Sequence, residues 1–120
     1  MKRIYHLSTC STCKRILKEI NPDSTIELVD IKVNNIDAST LDWIQSKIGS
    51  YEALFSKKAQ KFRLQGLHEK QLSENDYRSL LLEEYTFLKR PFCINGENVT
   101  IGNTKDQVAK AKDLFISGIA

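Results

Sequence analysis

The chain has 120 residues, of which 41% are hydrophobic and 28% are charged, a balance typical of globular domains. A chain of this length usually folds as one domain, here residues 1–120, with a buried core, which excludes collagen-like, disordered and disulfide-scaffold proteins. Its net charge of +3 is too mild to predict direct nucleic-acid binding. Apolar runs are far shorter than the roughly 20 residues that cross a bilayer, and the N-terminus lacks an apolar signal segment, so we expect a cytoplasmic protein without a membrane partner.

The first thirty residues predict a β-α-β unit. Alternating apolar and polar residues predict a strand over Lys2–Leu7, and apolar residues at helical spacing after Cys13 predict a helix that the turn residues Asn21–Asp23 end. A second strand is predicted over Thr25–Val29. A crossover of this length implies that the two strands are parallel and that the helix packs on one face of the sheet.

The middle of the chain predicts helices. Ser39 and Asp42 resemble a capping box for a helix that ends at Gly49. A short helix is predicted over Tyr51–Phe55, and Ser73–Asp76 begins another helix by the same capping logic.

The C-terminal third predicts a β-hairpin and a last helix. Pro91 precedes a short β-prone run and must lie at an edge or at a strand start. Asn95-Gly96 indicates a two-residue hairpin turn, after which Val99–Ile101 forms the returning strand. Asn103 with Asp106 caps a helix with four apolar positions, Val108, Ala111, Leu114 and Phe115. The element order predicts a single α/β domain.

The candidate chemistry lies in a Cys-x-x-Cys motif, Cys10 and Cys13, between the first strand and the first helix. In a reducing compartment such a pair is more often catalytic or metal-binding than structural. Unpaired amides and the helix dipole stabilise a thiolate at a helix N-terminus, so we expect the pKa of Cys10 to be lowered. Cys13 lies one turn further on, and Lys14 and Arg15 add positive charge.

Other readings of the cysteines remain open. The pair could form half of a zinc site, completed from Cys93, His6 and His68, or could simply fill space. Cys93 lies between two apolar residues, so we expect it to be buried and to pack as a small hydrophobic residue.

The densest basic stretch comprises Lys57, Lys58, Lys61 and Arg63. It is interpreted either as a solvated helix or loop face or as a patch that attracts anions near a site.

Two blocks of the sequence, Tyr5–Arg15 (YHLSTCSTCKR) and Leu88–Gly102 (LKRPFCINGENVTIG), resemble the arsenate reductase (ArsC)/Spx family. The intervening Lys57–Arg63 run lies where that family carries its helical insertion, so the resemblance spans nearly the whole chain. It implies a thioredoxin-like fold with a mixed sheet: β-α-β, helical insertion, β-hairpin and C-terminal helix.

The resemblance also implies roles for individual residues. Cys10 matches the nucleophile, with Cys13 placed to resolve the intermediate, and Arg90 matches the arginine that helps to bind the oxyanion. Pro91 matches a proline, normally cis, that faces the cysteine loop. The implied substrate-binding residues are Ser11, Thr12, Lys14, Arg63 and Pro91.

The resemblance supports two functions. The first is a thiol-dependent oxidoreductase that reduces arsenate or a related oxyanion or disulfide, with no tightly bound cofactor and with electrons from glutathione and glutaredoxin or from thioredoxin. The second is an Spx-like redox-sensing regulator that binds RNA polymerase. Arsenate reductases of this type carry a serine or a similar residue at the Cys13 position and two further arginines, near Ser56 and Asn103, neither of which this sequence has. The Cys-x-x-Cys pair and Ile101-Gly102 are more similar to the Spx-type and uncharacterised branches of the family.

Overall fold

The computed structural model describes residues 1–115. Strands are β1 Lys2–His6, β2 Glu27–Asp30, β3 Phe92–Asn95 and β4 Asn98–Ile101, and helices are α1 Ser11–Ile20, α2 Ala38–Ile48, α3 Gln60–Leu64, α4 Glu74–Glu83 and α5 Lys105–Leu114. Short 3-10 turns lie at Glu52–Leu54, Leu67–Glu69 and Tyr85–Phe87. The contacts divide the chain into a first unit, residues 1–34 with residues 90–115, and a second unit, residues 35–89.

The first unit contains the sheet, in the order β2-β1-β3-β4. β1 and β2 are parallel, whereas β3 is antiparallel to both β1 and β4. The parallel pair and the mixed α/β sheet confirm the predicted fold class. The register pairs Tyr5 of β1 with Phe92 of β3, which sets the residues before β3 beside the loop after β1.

The core of the first unit lies between the sheet and two helices. Ile4, Ile26, Cys93 and Ala111 form a buried cluster, and Ile4 is paired with Cys93 across β1 and β3. Partly buried residues of α1 and α5 pack against this cluster: Leu17, Ile20 and Leu114, followed by Phe115. Because paired residues point to the same side of a sheet, α1 and α5 cover one face of it.

The second unit has an aromatic core. The ring of Phe55 stacks on Phe87 with centroids 4.7 Å apart and meets Tyr77 and Phe62 edge-on at 5.1 and 5.7 Å. At its surface, Asp42 of α2 accepts hydrogen bonds from Arg78 of α4 at 2.8 and 3.1 Å. These contacts join the helices of the unit to one another.

Several local predictions are confirmed. Asn21 closes α1 in a left-handed conformation, and Gly49, with φ of 105°, closes α2. Ser73 and Asp76 form the complete capping box at the start of α4. Pro91 directly precedes β3, the strand-start position that its missing N–H allows.

The predicted starts of two elements are wrong. Asp37 rather than Ser39 precedes α2, because the Asp42 carboxylate is engaged by Arg78 instead of the helix start. The β2 strand begins at Glu27 rather than Thr25 because Asp23 accepts a hydrogen bond from the Thr25 N–H at 2.8 Å and holds a turn there.

The hairpin and the last cap are displaced by one residue. Asn95 pairs with Asn98, so the hairpin turn is Gly96-Glu97 rather than Asn95-Gly96, and Gly96 supplies the positive φ of 62° that this turn needs. Thr104 rather than Asn103 caps α5, by accepting a hydrogen bond from the Gln107 N–H. The short helix predicted over Tyr51–Phe55 is present as a 3-10 helix, Glu52–Leu54.

Among the residues that the structure describes, no helix has both the length and the apolar composition that crossing a membrane requires.

Candidate active site

A tight turn after β1 places Cys10 at the start of α1. The Cys10 N–H donates to the Leu7 carbonyl at 3.0 Å, and the Cys10 carbonyl accepts the first helical bond, from the Lys14 N–H at 3.1 Å. Cys10 is therefore the N-cap residue of α1, with extended backbone angles. The positive end of the helix dipole lies beside its sulfur, as predicted.

The Cys10 sulfur is half-exposed and meets three donors. Burial acts to raise its pKa, but hydrogen bonds from the Cys13 N–H, the Cys13 thiol and the Arg90 guanidinium, together with the Arg90 charge, outweigh burial and lower the pKa. The Cys10 side chain makes no capping hydrogen bond of standard geometry to α1. Donors placed around a sulfur at a helix N-terminus favour its thiolate form.

Cys13 differs from Cys10 in both burial and the direction of its pKa shift. Its side chain is fully buried, and burial, followed by the negative charge of Cys10, raises its pKa to about 11, although a hydrogen bond from the Leu7 N–H opposes the shift. Both cysteines are free thiols. The structure thus pairs a half-exposed sulfur whose pKa is lowered with a buried sulfur whose pKa is raised.

Arg90 and Pro91 reach this site through the sheet register. Since Tyr5 pairs with Phe92, the antiparallel alignment carries Arg90 to the end of β1 where the Cys10 turn begins. The Arg90–Pro91 peptide bond is cis, as the resemblance implied, and the Pro91 carbonyl accepts the Gly102 N–H at 3.0 Å. Pro91 is buried and Arg90 is half-exposed.

Of the remaining predicted substrate residues, three lie on α1 with Cys10 and one lies in the second unit. Ser11 and Thr12 form the first turn of α1, whose amides have no partner within the helix, and Lys14 is an exposed residue of the same helix. Arg63 is an exposed residue of α3 and belongs to the second unit.

The basic stretch in the second unit is partly neutralised. Lys57 donates to Glu52 at 2.5 Å, and Lys61 donates to Glu84 at 2.6 Å. These pairs favour the solvated-face interpretation for Lys57 and Lys61.

The other candidate ligands do not form a metal site in the part of the chain described here. Within residues 1–115, no three His, Cys, Asp or Glu side chains lie close enough to hold a metal ion together. Cys93 is fully buried, as predicted, and burial raises its pKa to about 11.

Two residues at the site were not predicted from the sequence. Leu7 contributes both of its backbone groups, one to each cysteine. Asp30, at the end of β2, accepts a hydrogen bond from the Ser8 N–H at 3.2 Å. An acidic residue at the end of a strand parallel to β1 was the available signal for Asp30, but only the register shows which residue it meets.

A family model for the ArsC family matches residues 5–111. The fold is similar to an arsenate reductase from Vibrio cholerae (TM-score 0.76, 18% identity, covering 92% of this chain and 96% of that one). It is also similar to an arsenate reductase-related protein from Brucella melitensis (0.68, 23%, 91% and 92%). A protein from Staphylococcus aureus COL is 27% identical (0.70, 92% and 97%). No curated protein sequence matches the chain.

Proposed function

The chain belongs to the ArsC family, and we propose that it is a thiol-dependent oxidoreductase in which Cys10 is the nucleophile and Cys13 resolves the intermediate. The observation that supports this proposal is the contrast between the two sulfurs. Cys10 is half-exposed with a lowered pKa, whereas Cys13 is buried beside it with a raised pKa. A nucleophile and a protected second thiol are what stepwise thiol exchange requires.

With a disulfide substrate, the Cys10 thiolate attacks one sulfur, the substrate S–S bond breaks, and one thiolate leaves. The Cys13 thiol then gives up its proton and attacks the Cys10 sulfur. The products are a Cys10–Cys13 disulfide and the second substrate thiol, so the substrate gains two electrons. Two electrons from glutathione with glutaredoxin, or from thioredoxin, restore the two thiols.

The first step itself activates Cys13. While Cys10 is a thiolate, its charge and its hydrogen bond help to keep the Cys13 pKa near 11. When Cys10 enters a mixed disulfide it loses that charge, so only burial still opposes ionisation of Cys13. The resolving thiol is thus protonated before attack and easier to ionise afterwards.

An oxyanion such as arsenate fits the same order of events. Cys10 would displace a hydroxyl group of arsenate, released as water, and form an As–S bond. Attack by Cys13 on the Cys10 sulfur would break that bond and leave two electrons on arsenic, giving arsenite. We assign oxyanion binding to Arg90, whose planar guanidinium suits a tetrahedral anion, with Pro91 behind it.

We assign the supporting substrate contacts to the amides of Ser11 and Thr12 and to the charge of Lys14. Arg63 is retained as a proposed substrate residue on the basis of the family resemblance. We place the reaction in the cytoplasm, where reducing thiols supply the electrons.

The test is a panel of the reduced protein with arsenate and with a small-molecule disulfide. Each substrate is supplied with glutathione and glutaredoxin or with thioredoxin. We expect turnover with at least one pair, its loss in Cys10→Ser, and a trapped mixed adduct on Cys10, visible by mass spectrometry, in Cys13→Ser. Cys93→Ala is the matched cysteine control and keeps turnover. Full turnover in Cys10→Ser would refute the proposal.

The polymerase-binding alternative remains a prediction from the sequence. No observation on the described residues favours that partner over a small oxidised substrate.

A further inference from the structure

Asp30 lies where the loop that carries Cys10 leaves the sheet. Parallel pairing of β1 and β2 sets Asp30 beside His6, the last residue of β1. The Ile31 N–H extends this pairing by donating to the His6 carbonyl at 2.9 Å. Parallel strands end at the same edge of a sheet, so the side chain that ends β2 meets the backbone that follows β1.

The Asp30 carboxylate binds that backbone directly. Its Oδ1 accepts the Ser8 N–H at 3.2 Å and the Lys32 N–H at 3.2 Å. The Ser8 hydroxyl donates to the same carboxylate and, with these amides, lowers the pKa of Asp30. One carboxylate therefore ties the loop after β1 to the loop after β2.

Ser8 is the first of the two inner residues of the Leu7–Cys10 turn, which sets the geometry of both cysteines. Its neighbour Leu7 accepts the Cys10 N–H at 3.0 Å, and the Leu7 N–H donates to the Cys13 sulfur. Fixing Ser8 therefore fixes Leu7 and, through it, the position of the Cys10 sulfur relative to the donors around it.

We propose that Asp30 is a positioning residue for Cys10, whose carboxylate oxygen anchors the Ser8 turn and so keeps the Cys10 sulfur against its stabilising donors. The inference rests on the proposed function in taking Cys10 as the reacting group. Asp30 lies on β2 rather than on the strand that leads to Cys10, and it acts on the Cys10 sulfur only through the backbone of the turn.

The charge of Asp30 acts in the opposite direction to its anchoring role. A negative charge can only disfavour a thiolate, so removal of the charge alone does not make Cys10 less reactive. Loss of the anchor makes Cys10 less reactive. Asp30→Asn removes the charge but keeps an acceptor oxygen, whereas Asp30→Ala removes both, so the difference between the two variants reports on the anchor alone.

The experiment measures the rate of Cys10 alkylation by iodoacetamide against pH in the full chain, with the modified cysteine identified by mass spectrometry. We expect Asp30→Asn to react at least as fast as the wild type. Asp30→Ala is expected to react about three- to tenfold more slowly near pH 7, with its profile displaced to higher pH. Equal rates in the two variants would overturn the proposal.

Two further variants complete the test. Asp23→Ala is the matched control, because Asp23 is an exposed carboxylate that likewise accepts a backbone N–H, from Thr25, two residues on; it is expected to leave alkylation unchanged. Ser8→Ala removes only the hydroxyl bond and is expected to slow alkylation less than Asp30→Ala, with no further loss in the double variant. If Asp30→Ala does not fold, an unchanged rate in Ser8→Ala overturns the proposal.

This readout is independent of substrate turnover. Unimpaired turnover in Cys10→Ser would refute the proposed function, while the alkylation rates would still decide whether Asp30 positions the Cys10 sulfur.

Discussion

Replacing Arg90 by alanine tests how the Cys10 thiolate is stabilised. The guanidinium donates a hydrogen bond to the sulfur and adds its positive charge. A hydrogen bond to a charged group contributes about 1.5–3 kcal/mol. Because Cys10 and Arg90 are both half-exposed, solvent screening reduces this contribution to about 1 kcal/mol.

That free energy corresponds to about a fivefold lower thiolate fraction below the pKa. The assay is the ultraviolet absorbance of the thiolate during a pH titration, with iodoacetamide alkylation as a second measure. We expect the Cys10 pKa to rise in Arg90→Ala and to rise less in Arg90→Lys, which keeps the charge but not the planar group.

Arg15→Ala is the control, since it removes an exposed arginine of α1 and changes the net charge equally. Titration curves of Arg90→Ala that superimpose on the wild type, or an equal displacement in Arg15→Ala, would refute the reasoning.

Three further predictions concern stability and the third cysteine. A hydrogen bond from Arg78 is the main cause that lowers the pKa of Asp42 from 3.8 to about 2. The ionised Asp42 therefore stabilises the folded state above about pH 4, and this contribution is lost as the pH falls towards 2. The free energy of unfolding in urea should therefore fall less over this range in Asp42→Asn, and equal slopes would contradict the assignment. Ser73→Ala removes the capping box of α4 and should cost about 1 kcal/mol in urea unfolding, whereas Ser79→Ala, exposed within the same helix, should not; equal losses would argue against the cap. Cys93→Ala should keep turnover because the thiol is buried and its pKa is raised to about 11; a folded but inactive variant would show that this sulfur takes part.

Sequence patterns correctly predicted the helix ends that depend on interactions between nearby residues. The Ser73 box and the Gly49 stop depend on residues within one helical turn and were read correctly. The Ser39–Asp42 box failed because Asp42 has a stronger partner, Arg78, 36 residues away. The residue spacing at a helix start cannot show that an arginine far along the chain binds one of its residues.

The residues of the candidate site also differ in whether a local pattern could predict them. Cys10 and Cys13 were predicted from a motif within four residues, and Arg90 entered through the family resemblance. Asp30 lies one residue beyond the predicted second strand, and no role was predicted for it. Its bond to Ser8 follows from which residue of β2 faces which residue of β1, and alternation of side chains determines only the face on which each residue lies, not its partner on the neighbouring strand.

The donors that surround Cys10 also determine which redox form the protein favours. They stabilise the anionic sulfur, and a sulfur that has formed a disulfide carries no charge for them to stabilise. If Cys10 and Cys13 form the disulfide of the proposed function, these donors favour its reduced form, and the oxidised form is correspondingly easier to reduce than that of a dithiol without such donors. A catalyst with this bias would return to its starting state readily in a thiol-rich environment, so that restoration of the site need not limit repeated cycles.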